Sequence, residues 1–276
     1  MENKINFEGQ IKSFDETELH FRKDIPNNPK AIVIIVHGLC EHLGRYDYLV
    51  EKFNQFGYGV YRFDNRGHGK SGGERGYIDN FIYFIDDADE IVKLAMEEYA
   101  NLPVFMLGHS MGGFITAGYG VKYKDKLTGQ VFSGPCTIQL PIFEDLEKVD
   151  FDNEPRIKVP NSLSSIICRD EEVINAYDND PLVLKETNQK LLGEVFVKGP
   201  VWLEENIKKY TYPCLILHGE DDRIVIPEAG KWLYREIASI DKKLKLYEGF
   251  FHEILNEKEK DVVIEDIKDW IDKRIL

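Results

Sequence analysis

The stretch "MLGHSMGGF" at residues 106–114 places Ser110 between two glycines, each two positions away, directly after an apolar run. Residues 102–108 have the length and composition of a buried strand, and residues 111–123 have helical spacing. A strand, a tight turn and a helix are the context in which a G-x-S-x-G pattern presents a nucleophilic serine. The glycines permit a strained turn, and the first N–H groups of the helix favour a developing negative charge. Ser110 is therefore the candidate nucleophile.

Outward from this turn, short β-branched runs alternate with longer amphipathic stretches. The pattern predicts strands within residues 31–38, 58–69 and 127–135, and helices over residues 49–57 and 83–100. Continuous apolar strands separated by helices are typical of a parallel sheet that is covered by helices on both faces. The predicted fold class is therefore α/β.

The alternation fails between about Pro135 and Tyr210, where only short apolar clusters occur at irregular spacing. It resumes with a strand in 212–222, a helix at 228–237, a strand at 242–249 and a final helix at 258–274. We therefore expect one core, built from residues 1–134 and 211–276, with residues 135–210 inserted between its two halves.

The composition is typical of a folded globular protein. Hydrophobic residues make up 43% of the 276 residues and charged residues 30%, enough for one large core. The 49 acidic residues outnumber the 35 Lys and Arg residues, which gives a net charge of −14. Such a surface repels nucleic acid and anionic membranes, and no basic stripe offsets it. We expect no nucleic-acid partner.

The cysteines and the first residues indicate the cellular compartment in which the protein is expected. The four cysteines are widely spaced, without a C-x-x-C pair or metal-ligand spacing, and suggest reduced thiols in a cytoplasmic protein. The start, "MENKINFEGQ", lacks the apolar stretch of a secretory signal, and the run Ala31–Val36 is too short to cross a bilayer. We expect a cytoplasmic chain without a transmembrane segment. Transient membrane contact and the oligomeric state stay open.

A nucleophilic serine needs a base, which in this architecture follows the acid along the chain. Only His252 lies downstream of both Ser110 and the segment "HGEDD" at 218–222. It stands in "EGFFHEIL", immediately past a predicted strand, where a loop returns over the edge of the sheet. His252 is therefore the candidate general base. The other six histidines have simpler structural roles in strands and turns: His20, His37, His42, His68, His109 and His218.

The acid is expected just after the strand that ends at His218. The segment "HGEDDRIV" offers Glu220, Asp221 and Asp222. A short carboxylate on the imidazole would fix its tautomer and stabilise the imidazolium that forms. Spacing alone does not separate Asp221 from Asp222.

The oxyanion that forms during acyl transfer needs backbone N–H donors. One candidate is Met111, the residue after the nucleophile. The second is Leu39, in the turn "VHGLCEH" that follows the first central strand. No metal or organic cofactor is needed for this chemistry.

Six ordered motifs together resemble one branch of the α/β-hydrolases, the monoacylglycerol lipases and lysophospholipases. They are "HGLCEHLGRYDYL" (37–49), "FDNRGHGKSGG" (63–73), "GHSMGG" (108–113), "RDEEVINAYDNDPLV" (169–183), "LHGEDDRIV" (217–225) and "FHEILNE" (251–257). The resemblance runs from about residue 30 to the C-terminus.

The resemblance implies roles for individual residues. The family places its acid three residues after the glycine of the late strand, which selects Asp222 over Asp221, and it supports Ser110, His252, Leu39 and Met111 in the roles given above. It also implies that residues 135–210 form a helical cap over the active site and line the acyl site.

The residues after the oxyanion turn both follow and depart from the family. Glu41, His42 and Arg45 match a polar cluster behind the turn, where they are expected to hold the loop rigid. Cys40 departs from the family, which usually has a small residue there. Its role beside the turn stays open.

The expected function is hydrolysis of a carboxylic ester with an apolar acyl group, most of all a monoacylglycerol. Two alternatives remain within enzymes: a lysophospholipase, or a general carboxylesterase for short or aromatic esters. The same scaffold could also accept peptides, because the cap sets the substrate. A hydrolase-like binding protein without catalysis is a remote alternative, since such relatives typically lose a member of the triad.

Overall fold

The centre of the fold is a sheet of eight strands. Within residues 4–275, which the computed structural model describes, the strands are β1 (Ile5–Lys12), β2 (Glu18–Ile25), β3 (Ala31–Val36), β4 (Tyr58–Phe63), β5 (Val104–His109), β6 (Gly129–Ser133), β7 (Lys158–Pro160), β8 (Glu186–Asn188), β9 (Cys214–Gly219) and β10 (Lys242–Tyr247). The sheet has the order β1-β2-β4-β3-β5-β6-β9-β10 and is parallel from β4 to β10. The predicted mostly parallel sheet is confirmed.

Helices cover both faces of this sheet. The α-helices of the described residues are α1 (Asp47–Gln55), α2 (Ile82–Glu98), α3 (Met111–Lys122), α4 (Glu171–Asn179), α5 (Gln189–Gly193), α6 (Gly199–Asn206), α7 (Glu228–Glu236) and α8 (Lys260–Asp272). Alternate side chains of β3 pack into two separate apolar clusters, one that includes α2 and α3 and one that includes α1 and α8. Each fully buried Val or Ile side chain contributes about 1.5–3 kcal/mol, so this six-residue strand anchors both layers.

The sheet also contains an antiparallel hairpin that the sequence patterns did not predict. Strand β1 pairs with β2, and β2 joins the sheet edge by pairing Phe21 with Phe63 of β4. Most residues of β1 are exposed, because β1 lies at the edge of the sheet. Residues 5–12 do alternate between apolar and polar side chains, the signal of a half-buried strand, so β1 was detectable from the sequence although the hairpin was not predicted.

The register of the parallel strands brings several loops together. Val36 of β3 pairs with Gly108 of β5, and Ser133 of β6 pairs with both His109 and Leu217. The carboxyl ends of parallel strands meet at one edge of a sheet, which is where α/β proteins bind ligands. The segments after β3, β5, β6 and β9 therefore lie side by side.

Residues 135–210 contribute no strand to the eight-stranded sheet. They contain helices α4 to α6, the two-stranded β7–β8 pair, 3-10 turns at Pro141–Lys148 and Ser164–Ile166, and a π-helical turn at Glu194–Lys198. The chain leaves the sheet after β6 at Pro135, which lies directly against Gly113, and the segment ends at Tyr210, whose ring lies against Gly120. Both ends of the excursion thus contact the same helix, α3.

The helices of the described residues include none with the length and apolar character needed to span a bilayer.

Candidate active site

Ser110 occupies the sharp turn between β5 and α3. Its backbone has φ +55° and ψ −118°, a conformation that costs a residue with a side chain on the order of 1–3 kcal/mol. Two glycines make the turn possible. A Cβ at Gly108 would lie 2.2 Å from the carbonyl oxygen of Gly112, and a Cβ at Gly112 would lie 2.1 Å from that of Val36. The Ser110 N–H donates to Ser133 O at 3.0 Å, which fixes the turn against β6.

Asp222 and His252 are joined by a short hydrogen bond. His252 Nδ1 lies 2.7 Å from Asp222 Oδ2, so the Nδ1–H donates and Nε2 is left free to accept a proton. The other oxygen of Asp222 accepts from the N–H groups of Ile224 and Val225, both at 2.9 Å. These bonds hold the carboxylate still while it orients the imidazole.

The structure distinguishes the three carboxylates that the sequence offered after β9. Glu220 and Asp221 are exposed, whereas Asp222 is only 4% exposed and bonds His252. Geometry thus brings Asp222, and not its neighbours, to the imidazole.

Ser110 and His252 line the same cavity of about 30 Å³. No hydrogen bond between the two side chains is present among the described residues. Catalytic hydrogen bonds are often long in a ligand-free enzyme and tighten when substrate binds. The shared cavity is therefore the feature that relates the serine to the Asp222–His252 pair.

Asp222 and His252 shift each other's pKa. Burial alone would lower the pKa of His252, but the Asp222 carboxylate and its hydrogen bond outweigh burial and raise that pKa. Burial would raise the pKa of Asp222, yet the imidazoles of His252 and His218 hold it well below its usual range. Asp222 therefore stays ionised while His252 gains basicity.

The raised pKa of His252 predicts how activity depends on pH. A general base acts only when neutral, so kcat/KM should fall as pH drops through the pKa of His252 in the free enzyme. Because that pKa is raised, the acid limb should have its midpoint above the ordinary histidine value of about 6.5. Initial rates on a soluble p-nitrophenyl ester between pH 5 and 9 measure this midpoint. A midpoint below 6 would contradict the assignment of His252.

The two proposed oxyanion donors, the N–H groups of Leu39 and Met111, lie in the segments that directly follow β3 and β5. Met111 is the first residue of α3, where the N–H has no partner within the helix. Leu39 lies in the turn after β3, and that turn is fixed because Gly38 N–H donates to Glu41 Oε1 at 2.5 Å. Neither the Leu39 nor the Met111 N–H donates to another described residue.

Cys40 completes this turn in a conformation that favours glycine. Its φ is +66°, and its carbonyl accepts from the N–H of Leu184, which links the turn to residues 135–210. Burial raises the pKa of the Cys40 thiol to about 12, so the thiol stays protonated. Cys40 thus marks a strained backbone position beside the turn, and its protonated thiol is not a second nucleophile.

A buried ion cluster supports the turn from behind. Arg45 donates to Glu253 from both terminal nitrogens of its guanidinium, at 2.5 and 2.8 Å, and to Glu41 at 3.0 Å. Glu41 also accepts from the hydroxyl of Tyr46, and Arg45 lies over the ring of Tyr177 in α4. Burial would raise the pKa of Glu41, but Arg45 above all holds it at about 2. The cluster therefore joins the oxyanion turn, the His252 loop and α4.

Replacing Arg45 by methionine should lower the free energy of unfolding by about 3–5 kcal/mol, because Glu41 and Glu253 would stay buried without a cation. Chemical denaturation followed by tryptophan fluorescence measures the change. The matched control is Arg156→Met, which removes an exposed pair with Glu74 and should leave stability unchanged. An Arg45→Met protein as stable as the parent would show that the cluster is not a structural support.

No group of three or more His, Cys, Asp or Glu side chains within residues 4–275 is arranged to hold a metal ion.

Comparison with known proteins shows the family of the chain. The family described as "Serine aminopeptidase, S33" matches residues 27–259. The chain belongs to this family. Monoacylglycerol lipase from Mycolicibacterium smegmatis is 34% identical over 248 residues, which cover 88% of this chain and 89% of the relative. Phospholipase YtpA from Bacillus subtilis is 31% identical over 258 residues, which cover 90% and 98% of the two chains.

A solved structure of a similar protein has the same fold. A soluble variant of monoglyceride lipase from Saccharomyces cerevisiae, in complex with a substrate analog, aligns with a TM-score of 0.88 and 26% identity. The alignment covers 97% of this chain and 95% of the yeast chain. The predictions of an α/β-hydrolase fold and of a carboxylic ester hydrolase are confirmed by these matches.

The site of this S33-family chain includes residues that sequence reasoning missed. Glu253 was passed over although it adjoins His252, and His218 was assigned only to a strand end. His218 Nε2 lies 3.2 Å from Asp222 Oδ2 and donates to Val225 O at 2.7 Å, so it supports the acid. The ring of His109 packs against that of His252 at an angle of 46°, with ring centroids 4.7 Å apart. The position of Glu253 next to His252 was the main hint in the sequence, because the contacts of Glu253 with Arg45 and of His109 with His252 join segments that are far apart in the chain.

Proposed function

We propose that this hydrolase cleaves monoacylglycerols through a triad of Ser110, His252 and Asp222. The observation that carries the proposal is the 2.7 Å bond between Asp222 and His252, at a cavity that Ser110 also lines. The similarity to monoacylglycerol lipase from Mycolicibacterium smegmatis favours this ester class.

The proposed reaction proceeds in two halves. Ser110 Oγ attacks the ester carbonyl while His252 Nε2 takes the hydroxyl proton, and Asp222 stabilises the resulting imidazolium. The Leu39 and Met111 N–H groups bind the oxyanion, for which each donor supplies about 3–4 kcal/mol. His252 then protonates the leaving glycerol oxygen. Water attacks the acyl-enzyme by the same route and releases the fatty acid.

Residues 135–210 are proposed to act as the cap that receives the acyl chain, over a core of residues 1–134 and 211–276. A second cavity, of about 290 Å³, lies between the oxyanion turn and this segment. Its apolar lining includes Ile142, Leu146, Val149 and Leu192. A chamber of this size and character suits an alkyl chain.

A lysophospholipase is the second candidate, because Phospholipase YtpA is similar over nearly its whole length. The net charge of −14 favours the neutral glycerol ester over a substrate in an anionic membrane.

The buried, unpaired thiols of Cys40, Cys136, Cys168 and Cys214 fit the proposed cytoplasmic location.

The test compares kcat/KM for monooleoylglycerol, lysophosphatidylcholine of the same acyl chain and p-nitrophenyl acetate. We expect kcat/KM to be highest for monooleoylglycerol. A higher kcat/KM for lysophosphatidylcholine would establish the lysophospholipase, and a higher value for the acetate would establish a general carboxylesterase. Failure to hydrolyse all three by folded protein would overturn the ester hydrolase itself.

A further inference from the structure

Two cavities meet beside the oxyanion turn. The inner one, at Ser110, has a volume of about 30 Å³, whereas the outer one has about 290 Å³. The inner cavity has only about a tenth of the volume of the outer one, so most of the room for a fatty acyl chain lies in the outer cavity. An acyl chain on Ser110 must therefore extend into the outer cavity.

Three side chains line both cavities and form the boundary between them: Leu39, Phe143 and Leu163. Phe143 is the largest of the three. Its ring stacks on Phe196, which lines the inner cavity, with ring centroids 4.2 Å apart and planes 29° apart. The stacked pair narrows the route by which an acyl chain passes from one cavity to the other.

The two members of the pair are held very differently. Phe196 is 3% exposed and belongs to the π-helical turn Glu194–Lys198. The buried Glu194 anchors that turn, since it pairs with Lys190 and Lys198 at 2.8 Å each and accepts from the N–H of Phe81. Phe196 is therefore the fixed member.

Phe143 stands on the 3-10 turn Pro141–Lys148, most of whose described residues are exposed. A mostly exposed turn opens at lower free energy than the buried π-helical turn opposite. Movement of this turn would carry Phe143 off Phe196 and join the two cavities.

We infer that Phe143 is the residue that determines which acyl chains the enzyme accepts, by closing against Phe196 when the outer cavity is empty. This inference rests on the proposed function. Short acyl groups need little of the outer cavity, whereas long ones must displace the Phe143 ring. The size of the side chain at position 143 should therefore change the ratio between long and short substrates.

The experiment measures kcat/KM for monobutyrylglycerol and monooleoylglycerol in the parent and in Phe143→Ala, Phe143→Leu and Phe143→Trp. The long-to-short ratio should rise by about tenfold in Phe143→Ala, rise less in Phe143→Leu and fall in Phe143→Trp. The matched control is Val201→Ala, an exposed position of α6 outside both cavities, which should leave the ratio unchanged. Thermal melting curves show which variants are folded, and only the folded variants are compared.

A ratio that is the same in all folded variants, or that changes in the reverse order, would overturn the inference. Labelling rates with methyl and hexadecyl fluorophosphonates provide a readout that needs no turnover and should follow the same order. If the parent neither cleaves an ester nor becomes labelled, the proposed function fails. If the parent is labelled but its hexadecyl-to-methyl ratio is unaffected by position 143, only the role of Phe143 fails.

Discussion

Replacing Ser110 by alanine should lower kcat by about a millionfold, with the residual rate supplied by binding and the oxyanion donors. Alanine keeps the Cβ and the turn geometry, so the loss should reflect the missing oxygen alone. The same change should abolish labelling by a fluorophosphonate, which intact-protein mass spectrometry detects as an absent adduct.

The matched control for Ser110→Ala is Ser239→Ala. Ser239 is a buried serine whose hydroxyl donates to Asp241 O at 3.2 Å, outside the site. It should retain full activity and labelling. A folded Ser110→Ala protein that keeps more than a hundredth of the parent rate would rule out the serine nucleophile.

Asp222→Asn should lower kcat by about 10⁴-fold while the protein stays folded. An amide in place of the carboxylate removes the charge that stabilises imidazolium, and its NH₂ group favours the wrong tautomer of His252. Kinetics on p-nitrophenyl butyrate measure the loss. Loss of the charge should also lower the pKa of His252, so the residual activity should extend to lower pH.

Asp221→Asn is the matched control, because it makes the same chemical change at the adjacent, exposed carboxylate. It should change kcat by less than about twofold, as expected for a charge outside the proton relay. If Asp221→Asn and Asp222→Asn had equal effects, the acid would not be the residue that the geometry selects.

The features that sequence predicted are those carried by local patterns. The turn at Ser110 was predictable because its strand, glycines and helix are contiguous along the chain. Strand β3 was predictable because all six of its residues are apolar and buried. The choice of Asp222 came from resemblance, since two adjacent aspartates differ in burial only once β9 and the His252 loop are packed together.

The features that sequence did not predict arise from contacts between distant segments. Glu253 pairs with Arg45, 208 residues away along the chain, and no periodicity encodes such a pair. The stack of Phe143 on Phe196 depends on a 3-10 turn and a π-helical turn, which lack a distinctive sequence pattern. The polar support and the cavity boundary were therefore visible only in three dimensions.

Residues 135–210 begin at Pro135, against Gly113, and end at Tyr210, against Gly120, two positions of one helix. A segment whose two ends lie on the same helix can be lengthened, shortened or exchanged while the hydrogen-bonded sheet beneath it stays intact. Under the proposed function, the side chains at the strand ends carry the chemistry and residues 135–210 carry the choice of substrate. Substrate preference can then change through one contiguous stretch of the gene while the strand ends stay unaltered.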